Sequence, residues 1–126
     1  MGGGAGASSA TDDVEEISGV KVFAKKLSGV EAKDLRNLAD EGKKKLGSGI
    51  VILMTTDAEG KASLVVGVTD DLTKANSAVS LVQTGVAELG GKGGGGRPDM
   101  AQGGGPNGQA ADAAIAAIKK QVKPAA

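Results

Sequence analysis

The apolar residues in the first half of the chain follow the spacing of β-strands. Residues 20–27, VKVFAKKL, alternate loosely between apolar and polar and contain Val and Phe, which favours a strand. Residues 49–56, GIVILMTT, are apolar almost throughout, as in a strand that is covered on both faces. Residues 62–69, ASLVVGVT, follow after the polar turn at 57–61. We therefore predict a β-hairpin over 49–69 at the centre of a sheet.

Three other segments have the spacing of amphipathic helices. The first follows Gly29 and is predicted to end at Gly47, a residue suited to the left-handed turn after a helix. The second, over about 75–89, is stopped by Gly90, and the third, over 109–122, is rich in Ala. The residues predicted to face the core are Leu35, Leu38, Gly42 and Leu46 in the first helix, Val79, Val82, Val86 and Leu89 in the second, and Ile115, Ile118 and Val122 in the third.

The order of these elements, β-α-β-β-α, then a glycine-rich segment, then α, predicts an α/β (α+β) fold. We expect a single mixed sheet of about four strands with three helices packed on it, the fourth strand coming from 97–102. Residues 17–123 are assigned to one folded domain. Residues 1–16, rich in Gly, Ser and acids, are interpreted as a flexible linker, and residues 124–126 as a disordered tail.

Composition excludes several kinds of site. The chain has no cysteine and no histidine, which rules out a thiolate nucleophile, a Cys/His zinc site, disulfides and a histidine general base. Phe23 is the only aromatic residue, so base stacking on aromatic rings is almost excluded. No apolar run approaches the ~20 residues of a membrane span. We therefore expect no membrane partner, and the cytoplasm is the expected location.

The charges balance in number but are uneven along the chain. Lys and Arg total 15, as do Asp and Glu. Residues 21–50 carry eight bases against four acids, and residues 91–126 carry five against two. If these stretches meet in the fold, they form a positive surface for phosphate; otherwise the charges only keep the surface soluble. The run Lys43–Lys45 has the same two interpretations, because cations at the C-terminal end of a helix also complement its dipole.

Glycine makes up more than half of residues 90–105, GGKGGGGRPDMAQGGG. A run of this kind between two helices is often a flexible linker, yet this one lacks Ser and Thr, and its centre at 97–102 contains no glycine. Without Cβ atoms, backbone N–H groups can approach a ligand closely and can line an anion-binding concavity. The segment therefore predicts contact with phosphate, with Arg97 able to form a forked pair of hydrogen bonds and Lys92 adding a charge.

The spacing of these glycines argues against nucleotide hydrolysis. GKGGGGRP lacks the Lys-Ser/Thr pair of a P-loop, and the segment follows a helix, whereas the dinucleotide fingerprint follows a strand. Asp99 is expected to hold Arg97 or a backbone N–H group and not to act as a catalyst. Asp70 and Asp71 are interpreted as residues that start a turn or short helix.

The glycine-rich string closely resembles the hallmark of the C-terminal domain of bacterial alanyl-tRNA synthetases, a domain related to the DHH-associated domain of DHH phosphoesterases. SGVEAKDLRNLADEGKKKLGSGIVIL and KASLVVGVTDDLT are similar to further stretches of the same family. The resemblance covers roughly 17–123, which is essentially the whole folded part. The glycine-rich start is similar to the linker that joins this domain to the editing domain, so we expect the chain to be a fragment of a larger enzyme.

The resemblance implies a non-catalytic module that binds tRNA near its elbow and links aminoacylation with the editing of mischarged tRNA-Ala. The implied partners are tRNA-Ala, the upstream catalytic and editing domains of the same enzyme, and a second copy of the chain. No catalytic residue, metal ligand or cofactor is implied here, because ATP with magnesium, and zinc in the editing domain, belong to the upstream domains. The residues implied to bind tRNA or phosphate are Lys92, Gly93, Gly94, Gly95, Gly96, Arg97, Asp99, Gln102, Gly103 and Gly104.

Two alternatives from other classes stay open. The chain can be the substrate-binding half of a DHH-type phosphodiesterase that acts on short oligonucleotides. Such an enzyme needs a metal-binding Asp/His cluster, for which Asp12, Asp13, Asp70 and Asp71 without histidine are a poor substitute. The other alternative is a domain that works chiefly in self-association.

Overall fold

The computed structural model describes residues 14–17, 19–28, 30–57, 59–91 and 94–122. These residues form one mixed sheet and three α-helices. The strands are β1 (Val14–Ile17), β2 (Val20–Ser28), β3 (Ile50–Thr56), β4 (Ala62–Val68), β5 (Gly95–Arg97) and β6 (Met100–Gly105). The helices are α1 (Ala32–Leu46), α2 (Ala78–Glu88) and α3 (Ala111–Gln121).

The strands lie in the order β1-β2-β3-β4-β6-β5. β2 and β3 run parallel, and α1 forms the crossover that a parallel pair requires. All the other neighbours in this order are antiparallel. β3 and β4 pair over their whole length at the middle of the sheet, from Ile50 opposite Val68 to Thr56 opposite Ala62, which confirms the hairpin predicted over 49–69.

Two hydrophobic cores lie on opposite faces of the sheet. The larger one is shared by the sheet, α2 and α3, and it includes Ile50, Ile52 and Met54 of β3. The smaller one lies between the sheet and α1, and it includes Val51 and Leu53 of the same strand. Because alternate residues of a strand point to opposite faces, β3 is buried on both sides, as its continuous apolar sequence predicted.

The first helix ends where it was predicted to end, but one of its predicted core residues was wrong. Gly47 has φ = 75°, and its N–H donates to the carbonyl of Lys43. Leu35 is fully buried, whereas Leu38 is 40% exposed. Ala39 is buried instead of Leu38. Because successive residues of a helix point about 100° apart around its axis, Leu38 then points away from the core.

The other two helices agree with the predicted core positions. Val82, Val86 and Leu89 are buried under α2, Gly90 ends that helix with φ = 77°, and Val79 is partly buried. Ile118 and Val122 are buried under α3, with Ile115 partly buried beside them. The second helix begins at Ala78, later than the predicted 75, because the preceding residues form a turn in which the N–H of Asn76 donates to the carbonyl of Leu72.

The sheet has six strands where about four were predicted. β1 contains residues 14–16, which composition assigned to the linker, and it pairs with β2. The glycine-rich segment forms two strands, β5 and β6, instead of one strand over 97–102. Both departures have the same cause. Neither the four residues of β1, two of which are acidic, nor the glycines of β5 and β6 show the alternation of apolar and polar side chains that predicts a strand. Residues 1–13 and 123–126 lie outside the described residues.

Candidate nucleic-acid interface

The described part of the glycine-rich segment is a β-hairpin whose turn is anchored to the rest of the fold. β6 pairs with β5 on one side and with β4 on the other, and Pro98 and Asp99 form the turn. The N–H of Ala78, at the start of α2, donates to the carbonyl of Pro98 at 2.8 Å. The N–H of Val68, at the end of β4, donates to the carbonyl of Asp99 at 2.9 Å. The segment is therefore an integral part of the sheet and not a linker.

Most glycines of this hairpin are required by close packing. A Cβ atom on Gly94 would lie 2.3 Å from Cγ1 of Val82, and one on Gly103 would lie 2.6 Å from Cγ2 of Val86. Added Cβ atoms would also lie 2.0–2.5 Å from backbone oxygens at Gly91, Gly104 and Gly105. Gly94 and Gly103 let α2 lie directly on the backbone of the hairpin, whereas Gly104 lies against the backbone of β4 at Ala62. Packing is thus a sufficient reason for these glycines, and the predicted contact of Gly94, Gly103 and Gly104 with phosphate stays a prediction.

Two glycines of β5 have a different environment. Gly95 is exposed, and a Cβ atom there would have no atom within 4 Å. Gly96 has φ = 148°, a conformation that side chains disfavour, and an added Cβ would lie 2.5 Å from the carbonyl oxygen of Met100. Packing does not require a glycine at position 95. The effect of Gly95 is that the edge strand β5 has no side chain at this exposed position. Lys92 and Gly93 lie outside the described residues.

The side of the hairpin that α2 does not cover carries the predicted polar residues. Gln102 lies opposite Val65 of β4 and opposite Gly95 of β5, and residues that lie opposite each other share a face. Val65 belongs to the core under α1, so this is the α1 side of the sheet. Arg97 lies on the same side, opposite Met100, which packs against that core. We call Gly95, Arg97 and Gln102, all three exposed, the exposed hairpin face.

A chain of charges connects α1 with the hairpin turn. Nζ of Lys43 donates to the carbonyl of Asp99 at 3.1 Å and lies 3.6 Å from its Oδ2. Oδ1 of the same carboxylate lies 3.6 Å from Nε of Arg97, as predicted for this pair. The Lys43 side chain is only 14% exposed and its stem lies over Gly67, whereas Arg97 is 76% exposed. Lys43 is therefore fixed in the fold, and Arg97 offers its guanidinium to solvent.

The fold brings only part of the two basic stretches together. The C-terminal turn of α1 meets the hairpin through Lys43, while Lys21 and Lys25 lie on β2, beyond β3 and β4. Lys26 points to the opposite face, where its Nζ lies 2.9 Å from Oδ1 of Asp112 in α3. The lysines of α3 belong to that opposite face as well. Among the described residues of the two stretches, the fold therefore brings together Lys43 and Arg97, which both lie beside the Asp99 carboxylate, and a positive surface for phosphate stays a prediction.

The remaining lysines of the α1 terminus support the interpretation that involves the helix dipole. Lys44 and Lys45 are exposed in the last turn of the helix, at the negative end of its dipole. Nζ of Lys44 also lies 3.6 Å from Oδ2 of Asp40, one turn earlier. Contact of these two lysines with phosphate stays a prediction.

The paired acids after β4 have a structural role. Asp70 and Asp71 lie in the first turn of a short 3-10 helix, Asp70–Leu72, as the sequence predicted. The Asp71 carboxylate also accepts hydrogen bonds from the hydroxyls of Ser48 and Thr69, the latter at 2.6 Å, and these two bonds hold the pKa of Asp71 below its usual value. Among the described residues, no group of three or more His, Cys, Asp or Glu is placed to hold a metal ion.

These features define a class of protein. The DHHA1 domain family matches residues 19–124, and the chain belongs to that family. It is 56% identical over 122 residues to the alanine–tRNA ligase of Parvibaculum lavamentivorans (strain DS-1) and 58% identical over 119 residues to that of Nitrobacter winogradskyi. These matches cover 97% and 94% of the chain but only 14% and 13% of the two ligases, so the chain corresponds to a small part of their length.

A solved structure agrees with this assignment. The C-Ala domain from Aquifex aeolicus alanyl-tRNA synthetase superimposes with a TM-score of 0.81 at 28% sequence identity, covering 86% of this chain and 96% of that one. The resemblance found in the sequence is therefore confirmed, and so is the fold of one mixed sheet with three helices. In the part of the chain that is described, no helix is long and apolar enough to cross a membrane.

The sequence did not predict the role that Lys43 has in the structure. Lys43 was interpreted only through the helix dipole or a phosphate, yet it ties α1 to a turn 56 positions away in sequence. No local pattern reports such a contact, because it depends on how the helix crosses β4. The partial signal was Gly67, a glycine inside a strongly apolar strand, which is typical of close approach by another group.

Proposed function

We propose that this chain is the non-catalytic tRNA-binding module of an alanine–tRNA ligase. The membership of the DHHA1 family and the similarity to one part of alanine–tRNA ligases support this proposal. The observation that carries it is the glycine-rich hairpin, which α2 fixes from one side and which leaves Arg97 and a bare strand on the other. A rigid, partly side-chain-free surface beside one exposed guanidinium suits a polyanion of defined shape.

The exposed hairpin face offers three different contacts to RNA. Arg97 can donate two parallel hydrogen bonds to one phosphate. Gly95 allows a sugar–phosphate backbone to approach the strand without a side chain in the way. Gln102 can both donate and accept, which suits a ribose hydroxyl or a base edge. Because the chain is neutral overall and its basic residues are dispersed, we expect a modest affinity that decreases as salt is added.

The finer parts of this proposal follow from the resemblance. We propose that the contacted RNA is tRNA-Ala, that contact occurs near the tRNA elbow, and that holding the tRNA there links aminoacylation with editing. The upstream catalytic and editing domains are then partners within the same enzyme, and they supply the ATP, magnesium and zinc sites. Self-association of the chain and a cytoplasmic location are part of the same proposal. No observation favours the phosphodiesterase alternative, since the curated relatives named above are ligases.

The test is a titration of this chain with tRNA-Ala at two salt concentrations. If Arg97 neutralises one phosphate, Arg97→Ala weakens binding and flattens the slope of log K against log salt by about one unit. The matched control is Lys120→Ala, which removes the same charge from an exposed position on α3, across the sheet. If the slope of log K against log salt is the same for Arg97→Ala, for the wild type and for Lys120→Ala, Arg97 does not contact phosphate in the interface.

A further inference from the structure

Two cations share the Asp99 carboxylate at the hairpin turn. Nζ of Lys43 lies 3.6 Å from its Oδ2, and Nε of Arg97 lies 3.6 Å from its Oδ1. The Asp99 side chain is 32% exposed, a value between those of the mostly buried Lys43 and the mostly exposed Arg97. Because one carboxylate faces two cations, the three groups together carry one net positive charge. Without the lysine, Arg97 and Asp99 would form a pair with no net charge.

The two cations reach this carboxylate from opposite ends of a row of residues across the sheet. Gly67 of β4 lies opposite Met100 of β6, and Met100 lies opposite Arg97 of β5. The stem of Lys43 covers the Gly67 end, where an added Cβ atom would lie 2.8 Å from Cδ of the lysine. Neighbouring strands are about 5 Å apart, so the backbone at the two ends is about 10 Å apart. A ligand on the exposed hairpin face therefore meets Arg97, while the Lys43 side chain is mostly covered.

A carboxylate without a second cation would oppose the binding of phosphate to Arg97 in two ways. It would repel the phosphate, which has charge of the same sign, and it would compete for the N–H groups of the guanidinium. For unit charges several ångströms apart near a protein surface, repulsion of this kind changes a binding constant by about fivefold. Lys43 is placed to offset this effect, because its ammonium faces the carboxylate oxygen that Arg97 does not face.

We propose that Lys43 is a positioning residue for RNA binding, which offsets the charge of Asp99 so that Arg97 can hold a phosphate. The lysine acts through Asp99 and Arg97 and does not itself contact the RNA. This role differs from both interpretations of Lys43 in the sequence, a phosphate contact and a complement to the helix dipole. The inference rests on the proposed function, because it requires RNA at the exposed hairpin face.

The test is a titration of the chain with tRNA-Ala at two salt concentrations. Lys43→Met is expected to weaken binding about fivefold and to keep the wild-type slope of log K against log salt, because no phosphate contact is lost. The double variant Lys43→Met/Asp99→Asn is expected to bind within about twofold of the wild type, since the carboxylate charge is gone as well. The matched control is Lys120→Met, which removes the same charge from α3 and is expected to bind like the wild type.

The substitutions are chosen to keep the hairpin turn in place. Met is unbranched like Lys, so its side chain can still cover Gly67, and the carbonyl of Asp99 keeps the hydrogen bond from the N–H of Val68. Lys43→Gln serves as a second variant, because it removes the charge but retains an N–H donor for that carbonyl. It is expected to weaken binding as Lys43→Met does.

Each competing role of Lys43 predicts a different result. If Lys43 contacts a phosphate directly, Lys43→Met flattens the salt slope by about one unit. If it only supports the turn, the double variant stays as weak as Lys43→Met. Either result overturns the proposal, and so does wild-type affinity of both Lys43→Met and Lys43→Gln. If Arg97→Ala weakens tRNA binding while the Lys43 variants do not, the proposed function stands without this role for Lys43. If the wild-type chain does not bind tRNA-Ala, both are wrong.

Discussion

At the scale of single residues, the absence of a side chain has two different uses in the glycine-rich hairpin. Gly103 and Gly94 let α2 approach the strands, because any Cβ there would meet Val86 or Val82. Gly95 has open space around it and is available to a ligand. The sequence shows a run of glycines but cannot sort them, since the difference depends on which side of the hairpin the helix covers.

This division predicts different costs for the same substitution. Gly103→Ala is expected to destabilise the fold by about 1–3 kcal/mol, because its Cβ would lie 2.6 Å from Cγ2 of Val86 and the helix would have to shift. Gly95→Ala is the control and is expected to change stability by no more than about 0.5 kcal/mol. Urea denaturation of the two variants measures the difference. Equal losses of stability would contradict the packing described for α2.

At the scale of elements, periodic segments were predictable and short or glycine-rich ones were not. The hairpin of β3 and β4 and all three helices follow from apolar spacing, and the end of α1 follows from Gly47. β1 and the division of the glycine-rich segment into β5 and β6 depend on pairing with neighbouring strands, which leaves no pattern in so few side chains. The same applies to contacts between elements, such as the hydrogen bonds from Ser48 and Thr69 to Asp71.

The Asp71 contacts predict a dependence of stability on pH. Hydrogen bonds from Ser48 and Thr69 lower the pKa of Asp71 in the folded chain below 3.8, so the folded state favours the ionised carboxylate. The two hydrogen bonds therefore contribute fully to the free energy of unfolding above pH 3.8, and this contribution is lost as the pH falls through the pKa of Asp71 in the folded chain. The thermal unfolding temperatures of the wild type and of Asp71→Asn are expected to differ at about pH 6, and the difference is expected to shrink as the pH falls below 3.8. A constant difference across this range would show that the carboxylate charge has no part in the link.

At the scale of the whole molecule, a chain with no net charge presents one exposed guanidinium, that of Arg97, beside a hairpin that is built into the sheet. α1 and α2 cover opposite faces of the sheet, and the hairpin extends beyond α1 with Arg97 at its turn and Lys43 fixed behind it. The family was predictable from the sequence, because the glycine-rich string with Arg97-Pro98-Asp99 is distinctive. Which face of the hairpin is open was not predictable, since that requires the crossing of α1 and α2 over the finished sheet.

The central claim is that tRNA binds this open face of an ordered hairpin, and NMR signal mapping of the chain with tRNA-Ala tests it most directly. The amide signals of Gly95, Arg97 and Gln102 are expected to shift or broaden on titration, while those of α3 stay unchanged. The same three residues are expected to be as well ordered as β4 before any tRNA is added. Changes concentrated on α3, or a hairpin that moves freely with and without tRNA, would contradict the account.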